Sequence, residues 1–238
     1  TRLRNQGALL KEVRELLTLS RGYGMESVRQ RAMSTAETVS ASLSEVVDDS
    51  ALELVVDLRL AFGRLLAALG ANERAEKEHL DTAELSLSQG WTETACAALA
   101  LASHAAQARG DRASSGRAWH QCRDAMESWP MNRPGERCGI LVDAVGDPLV
   151  AVQVLSALAE VLVDGVEEDH SRAPIIREII SRASEQASRC VSPPQGAVES
   201  LARVEERVAP YGRGRGGRRR PGSTTTITTD GQAAAGGK

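Results

Sequence analysis

Apolar residues return every three or four positions along nearly the whole chain, the spacing of one face of an α-helix and not the two-residue alternation of a strand. Leu9, Leu10, Val13, Leu16 and Leu17 share a broad face of a first helix, which Gly22-Tyr23-Gly24 interrupts. A second helix, Met25 to Val47, carries Val28, Ala32, Ala36, Val39, Leu43 and Val46 at the same interval. Asp48-Asp49-Ser50 then offers side-chain acceptors to the free N–H groups that open the next helix.

From there glycines set the beat. Gly70, Gly90 and Gly110 stand twenty residues apart, each closing an apolar-periodic run where a helix commonly ends on a left-handed residue. They predict four helices, Ala51 to Leu69, Asn72 to Gln89, Thr92 to Arg109 and Arg112 to Ser128. Loops this short force sequential helices to lie antiparallel, as hairpins. Pro130 and Pro134 interrupt the series and predict a longer connection.

Helicity resumes with a short segment, Arg137 to Val145, and Asp147-Pro148 supplies an N-cap followed by proline at the first helical position. The helix it launches, Leu149 to Val163, is hydrophobic nearly all round and belongs in the interior. Ser171 to Arg189 shows a stripe of Ile175, Ile176, Ile179 and Ile180, and Ala197 to Val208 follows Pro193-Pro194. The expectation is an all-α protein of stacked antiparallel hairpins, an α-solenoid or a helical bundle. Its segments are an N-terminal hairpin (1–48), the regular hairpins (49–129), C-terminal helices (130–211) and a tail (212–238).

Composition agrees with helices. Hydrophobic residues make up 42% of the 238, enough for a substantial core, but aromatics only 3%, so the interior is aliphatic and its helices close together. Charge divides the chain. Residues 212–238 hold five arginines and one lysine against one aspartate, a net of +5, which leaves −8 for residues 1–211. A glycine- and arginine-rich stretch of this kind cannot bury a core and is expected to be disordered. It can follow a phosphate backbone, through Arg213, Arg215, Arg218, Arg219 and Arg220, which makes RNA or DNA a second expected partner. No run of about 20 apolar residues suggests a membrane span, and the first residues lack the apolar stretch of a signal peptide. An intracellular, soluble protein is expected, cytoplasmic, or nuclear in a eukaryote.

The hairpins resemble tetratricopeptide repeats. Between Leu58 and Gly90, the family's small residue of the first helix falls on Gly63, with Phe62 and Leu66 beside it, and its small second-helix residue on Ala75. In the following hairpin Leu99, Ser103, Ala106 and Trp119 take the corresponding places, and Gly110-Asp111 looks like the common turn. The helices run longer than the family's roughly 34-residue unit allows, and its terminal proline is missing between the hairpins. The resemblance spans about Ala51 to Trp129 and implies a superhelical scaffold that holds a peptide or helix of another protein.

Candidate chemistry is sparse. Cys96, His104, His120 and Cys122 are the strongest metal suggestion, because a hairpin folded at Gly110 would set His120 near Ala100 and Cys122 near Ala98. Residues two apart on a helix diverge, however, so His120 and Cys122 do not point at one ion, and no metal or other cofactor is expected. His79, among Glu76, Glu78 and Asp81, reads as part of a solvated charged face. Glu167, Glu168, Asp169 and His170 read as a surface loop without the ligand pattern of a calcium site. No phosphate cradle follows a strand, and no nucleophile with a base can be named.

The expected function is therefore that of a non-enzymatic scaffold or regulatory subunit, with Phe62, Leu66, Trp91, Leu99 and Trp119 as the residues facing a partner protein. A small-molecule sensor remains a third expectation. It requires a pocket between hairpins with convergent polar groups.

Overall fold

A computed structural model describes residues 2–43 and 51–212. Among these residues there are ten α-helices and no strand: α1 Arg2–Tyr23, α2 Met25–Leu43, α3 Leu52–Ala68, α4 Asn72–Ser88, α5 Thr92–Ala108, α6 Arg112–Glu127, α7 Pro134–Val145, α8 Pro148–Val163, α9 Arg172–Ser188 and α10 Gln195–Val208. A 3-10 turn, Ala209–Gly212, closes the described part. The Asp48-Asp49-Ser50 cap and the arginine-rich tail both lie outside the described residues.

The glycine beat is real in three dimensions. Gly70, Gly90 and Gly110 have φ of +83°, +72° and +80°, the left-handed conformation that costs an L side chain about 1 kcal/mol and glycine nothing. In each turn the amide three residues past the helix bonds back to a carbonyl of the last turn, for example Trp91 N to Ser86 O at 2.9 Å, which is the ordinary closure of a helix C-terminus. Asp111 caps α6, accepting from Ser114 N at 3.0 Å, and that bond holds its carboxyl below the usual range. Asp147 caps α8 by accepting from Leu149 N and Val150 N.

Three boundaries differ by more than one residue from the sequence expectation, one of them the start of α10 at Gln195, two residues before Ala197. Helix α1 runs through Gly22 to Tyr23, and the break falls on Gly24 alone, at φ +82°. Helix α7 begins at Pro134, three residues before the predicted start. Proline lacks the N–H that a first-turn residue would leave unpaired anyway, so it opens a helix as readily as it breaks one.

The odd-numbered helices form a row, with α1 against α3, α3 against α5, α5 against α7 and α7 against α9. The even-numbered helices fold back on this row: α4 packs on both α3 and α5, α6 on α5, and α8 on α7 and α9. This arrangement is compatible with a helical repeat. Its pivot is α5, where thirteen of seventeen residues are buried, seven of them alanine; small side chains allow α3, α4, α6, α7 and α8 all to reach it. Helix α8 is the second interior helix, as its uniform hydrophobicity predicts. Two apolar cores result. One, around Val13, Leu16, Val39, Leu58, Phe62 and Leu66, joins α1, α2 and α3. The larger gathers α5, α7, α8 and α9 around Leu141, Leu155, Leu158 and Ile176.

Ion pairs tie the row together where polar groups must be buried. Glu93, in the first turn of α5, is 7% exposed in its side chain and is met by Arg137 of α7; Glu76 of α4, 10% exposed, is met by Arg109 at the end of α5. Removing the cation from such a pair strands a desolvated carboxylate. Arg137→Ala is accordingly expected to lower the unfolding free energy by about 3 kcal/mol. Adding Glu93→Gln should recover part of that loss, and urea unfolding of both variants measures it.

Candidate functional site

The residues expected to face a partner separate into three situations. Phe62 and Leu66 are 1% exposed and lie inside the core shared by α1, α2 and α3; they hold α3 in place and present nothing to the surface. Trp91 sits in the turn before α5, partly buried against the larger core. Leu99 and Trp119 each reach an open cleft.

The first cleft, ≈ 650 Å³, opens where α4 and α6 straddle α5 without meeting along their length. Leu80, Ala83 and Leu87 of α4 form one wall, Ala118 and Ala125 of α6 the other, and Leu99 the floor. Leu87 is 48% exposed, an apolar side chain standing at the mouth of an apolar trough. Glu84, Asp124 and Arg117 line the rim. Helical spacing explains the wall: 80, 84 and 87 fall on one face of α4 and 75, 79, 82 and 86 on the buried one, with Glu76 and Ala83 buried at the seam where they also border the cleft.

The second cleft, ≈ 570 Å³, lies between α5, α6, α8 and α10. It is more polar. Ser103 donates to Ser115 O at 3.0 Å across the α5–α6 hairpin, and Ser156 of α8 donates to Ala197 O of α10 at 3.1 Å. Glu160 accepts from Arg123 at 3.3 Å and from Ser200. Trp119 forms part of the wall, half-buried.

The hairpin register corrects the geometry expected for the cysteines. Cys122 donates its thiol to Cys96 O at 3.4 Å and Cys96 approaches Cys122 O at 3.9 Å, so the fold-back is centred on Arg109, one residue before the glycine, and Cys122 meets Cys96 in place of Ala98. Both thiols are fully buried. The hydrogen bond to Cys96, with burial behind it, pushes the Cys122 thiol up, and burial pushes Cys138 up to about 12; neither supplies a thiolate nucleophile at neutral pH. His104 and His120 are exposed. Among the described residues no three His, Cys, Asp or Glu side chains converge as metal ligands.

His79 is the larger correction. It is 1% exposed, facing α3 and not solvent, and its ring rests on Gly63: a Cβ built there would lie 2.4 Å from the ring's Cε1. Burial, with a smaller push from the Arg64 guanidinium, lowers its pKa from 6.5 to about 3. The flanking charges hid it, although 75, 79, 82, 83 and 86 form an inward stripe at helical spacing that Gly63 has room to receive. A neutral ring sealed between two helices is packing, not a proton acceptor for a substrate.

Three arginines meet at the end of α7. Arg64 donates to Val145 O at 3.1 Å and Arg21 to Gly146 O, so cations cap the negative end of the α7 dipole. Burial first, then repulsion from Arg21 and Arg14, lowers Arg64 to about 10. In the loop before α9, His170 packs on Tyr211 with ring centroids 4.8 Å apart, and Asp169 accepts from Ser171 N at 3.0 Å. Arg213, Arg215, Arg218, Arg219 and Arg220 lie outside the described residues.

No helix among the described residues is long and apolar enough to cross a membrane. No family model matches the chain, and neither a curated protein nor a solved structure matches it.

Proposed function

We propose that the protein is a non-enzymatic interaction scaffold of tetratricopeptide-like build, and that it seats an amphipathic helix of a partner protein in the trough between α4 and α6. The observation that carries this reading is the trough itself: two helices held apart by a third, with apolar walls, an apolar floor at Leu99 and an exposed Leu87 at its mouth. A helix laid there would satisfy α4 and α6 through side chains three and four apart, the common way in which helical surfaces take up helical ligands. Two rim carboxylates, Glu84 and Asp124, against one Arg117 favour a partner helix with basic flanks. Left-handed glycine turns and the row of odd-numbered helices support the tetratricopeptide-like description.

The test uses the full chain as bait in native extract, with Leu87→Glu and Ala118→Glu as variants and circular dichroism to verify the fold. A charge on the trough wall is expected to reduce recovery of the bound protein about tenfold or more, as for a disrupted hot spot. Unchanged recovery by both variants, with loss instead on deletion of residues 212–238 and at raised salt, would transfer the binding role to the arginine tail and to nucleic acid.

A further inference from the structure

The polar cleft between α5, α6, α8 and α10 is separate from the trough, on the other side of α6, and its contents suit a different occupant. Along α6, Arg112, Gly116, Trp119 and Arg123 all border the cleft, at intervals that stack them on one helix face. The order is a cation, a gap, an aromatic plane and a second cation, with Arg112 and Trp119 about 10 Å apart along the axis at the usual helical rise. The gap is real space. A Cβ at Gly116 would meet nothing within 4 Å, and the same holds for Gly196 on the facing helix α10.

The cleft's polar groups are divided between satisfied and unsatisfied ones. Glu160, its carboxylate, is held by Arg123 and Ser200, and the serines of α5 and α8 donate to backbone carbonyls. Arg112, by contrast, has no carboxylate partner among the described residues, and the side chains of Gln153 and Trp119 make no hydrogen bond with them. Free donors and a neutralised carboxylate leave a surplus of positive charge beside an aromatic face. At ≈ 570 Å³ the space lies within the roughly 300–1,000 Å³ of small-molecule sites.

We propose that this cleft binds a small planar organic anion, its ring against Trp119 over Gly116 and its acidic group at Arg112. The ring would use the indole face and the space left by the missing side chain; the acid would use Arg112, the cleft guanidinium that has no carboxylate partner among the described residues. This site does not depend on the helix-binding reading of the trough, and either can fail without the other.

The three indole N–H groups of Trp91, Trp119 and Trp129 give a direct readout in the ¹⁵N-labelled full chain, with Trp119→Phe identifying the relevant resonance. Titration with 2-naphthoate is expected to shift the Trp119 resonance saturably and to leave the other two in place. Arg112→Gln should weaken binding about fivefold, the loss of one partly exposed charge contact. Gly116→Leu should abolish binding while leaving the melting temperature at or above that of the parent, since it fills open space on a helix. The cationic 2-naphthylmethylammonium should bind about tenfold more weakly than the acid. An unmoved Trp119 resonance, equal binding of acid and ammonium, or binding that is lost with Leu80→Glu in the trough and not with Gly116→Leu would each overturn the proposal.

Discussion

Gly63→Val is expected to lower the unfolding free energy by about 3 kcal/mol, the upper range for overpacking a closed interior. A Cβ at that point would sit 2.4 Å from Cε1 and 2.8 Å from both ring nitrogens of His79, far inside contact distance, and the buried ring has no open side to move toward. Valine gains little helix propensity over glycine to offset this. Against a total stability of about 5–15 kcal/mol for a domain, such a loss is a large part of the whole. The pair is expected to be coupled: His79→Ala, which alone leaves a void, should restore part of the stability of Gly63→Val. A double-mutant cycle by urea denaturation measures that coupling, expected at about 1–3 kcal/mol for residues in contact. Independent effects of the two substitutions would show that α3 and α4 do not meet at this point.

The second large effect is a dependence on acidity. In the folded protein His79 stays neutral down to about pH 3, and in the unfolded chain it takes a proton near 6.5. Between those limits the unfolded state binds the extra proton, so stability falls as pH falls, by up to about 1.4 kcal/mol per unit; above 6.5 the contribution is complete and flat. Urea midpoints from pH 7 to pH 4 should therefore decline steeply for the parent and much less for His79→Leu. Asp111 and Asp169, whose hydrogen bonds depress their pKa values below 3.8, add a loss of the same sign at lower pH in both proteins. Parallel profiles for parent and His79→Leu would place the acid sensitivity elsewhere.

Much of the architecture is legible in the sequence because its signals are local. A glycine after an apolar-periodic run is a conformational statement about one residue, and α3 to α6 begin and end within a residue of where Gly70, Gly90 and Gly110 put them. Pro134 was harder to read because proline is both a breaker and an opener, and only the φ/ψ of its neighbours decides between them. His79 was obscured for a different reason. Charges on the outer face of α4 dominate the local pattern, and the inner face carries Thr82 and Ser86, polar residues that bond to their own helix, to Glu78 O and Thr82 O, and so can be buried at little cost.

The clefts were beyond the reach of periodicity. Phe62, Leu66 and Leu99 all appear as apolar positions on helices of the same kind, yet the first two are sealed and the third floors an open trough, because α4 and α6 stay apart over α5 while α1 and α2 close over α3. That difference is set by which helices approach one another, a property of pairs far apart in the chain. Trp119 was identifiable as a large anchor, but its companions Arg112 and Gly116 acquire meaning only once α8 and α10 complete the wall.

The burial of α5 also bears on how the protein is made. Its covering is supplied by stretches on both flanks, from Leu52 in α3 to Val163 in α8, so when Ala108 has left the ribosome half of its wrapping has yet to emerge. The alanines that let its neighbours crowd in are also the strongest intrinsic helix formers, so the segment can wait as a coiled rod until the downstream strokes of synthesis arrive. Early hairpins can assemble as they emerge, each from nearby residues, whereas the centre of the molecule closes only after some fifty further residues have been added.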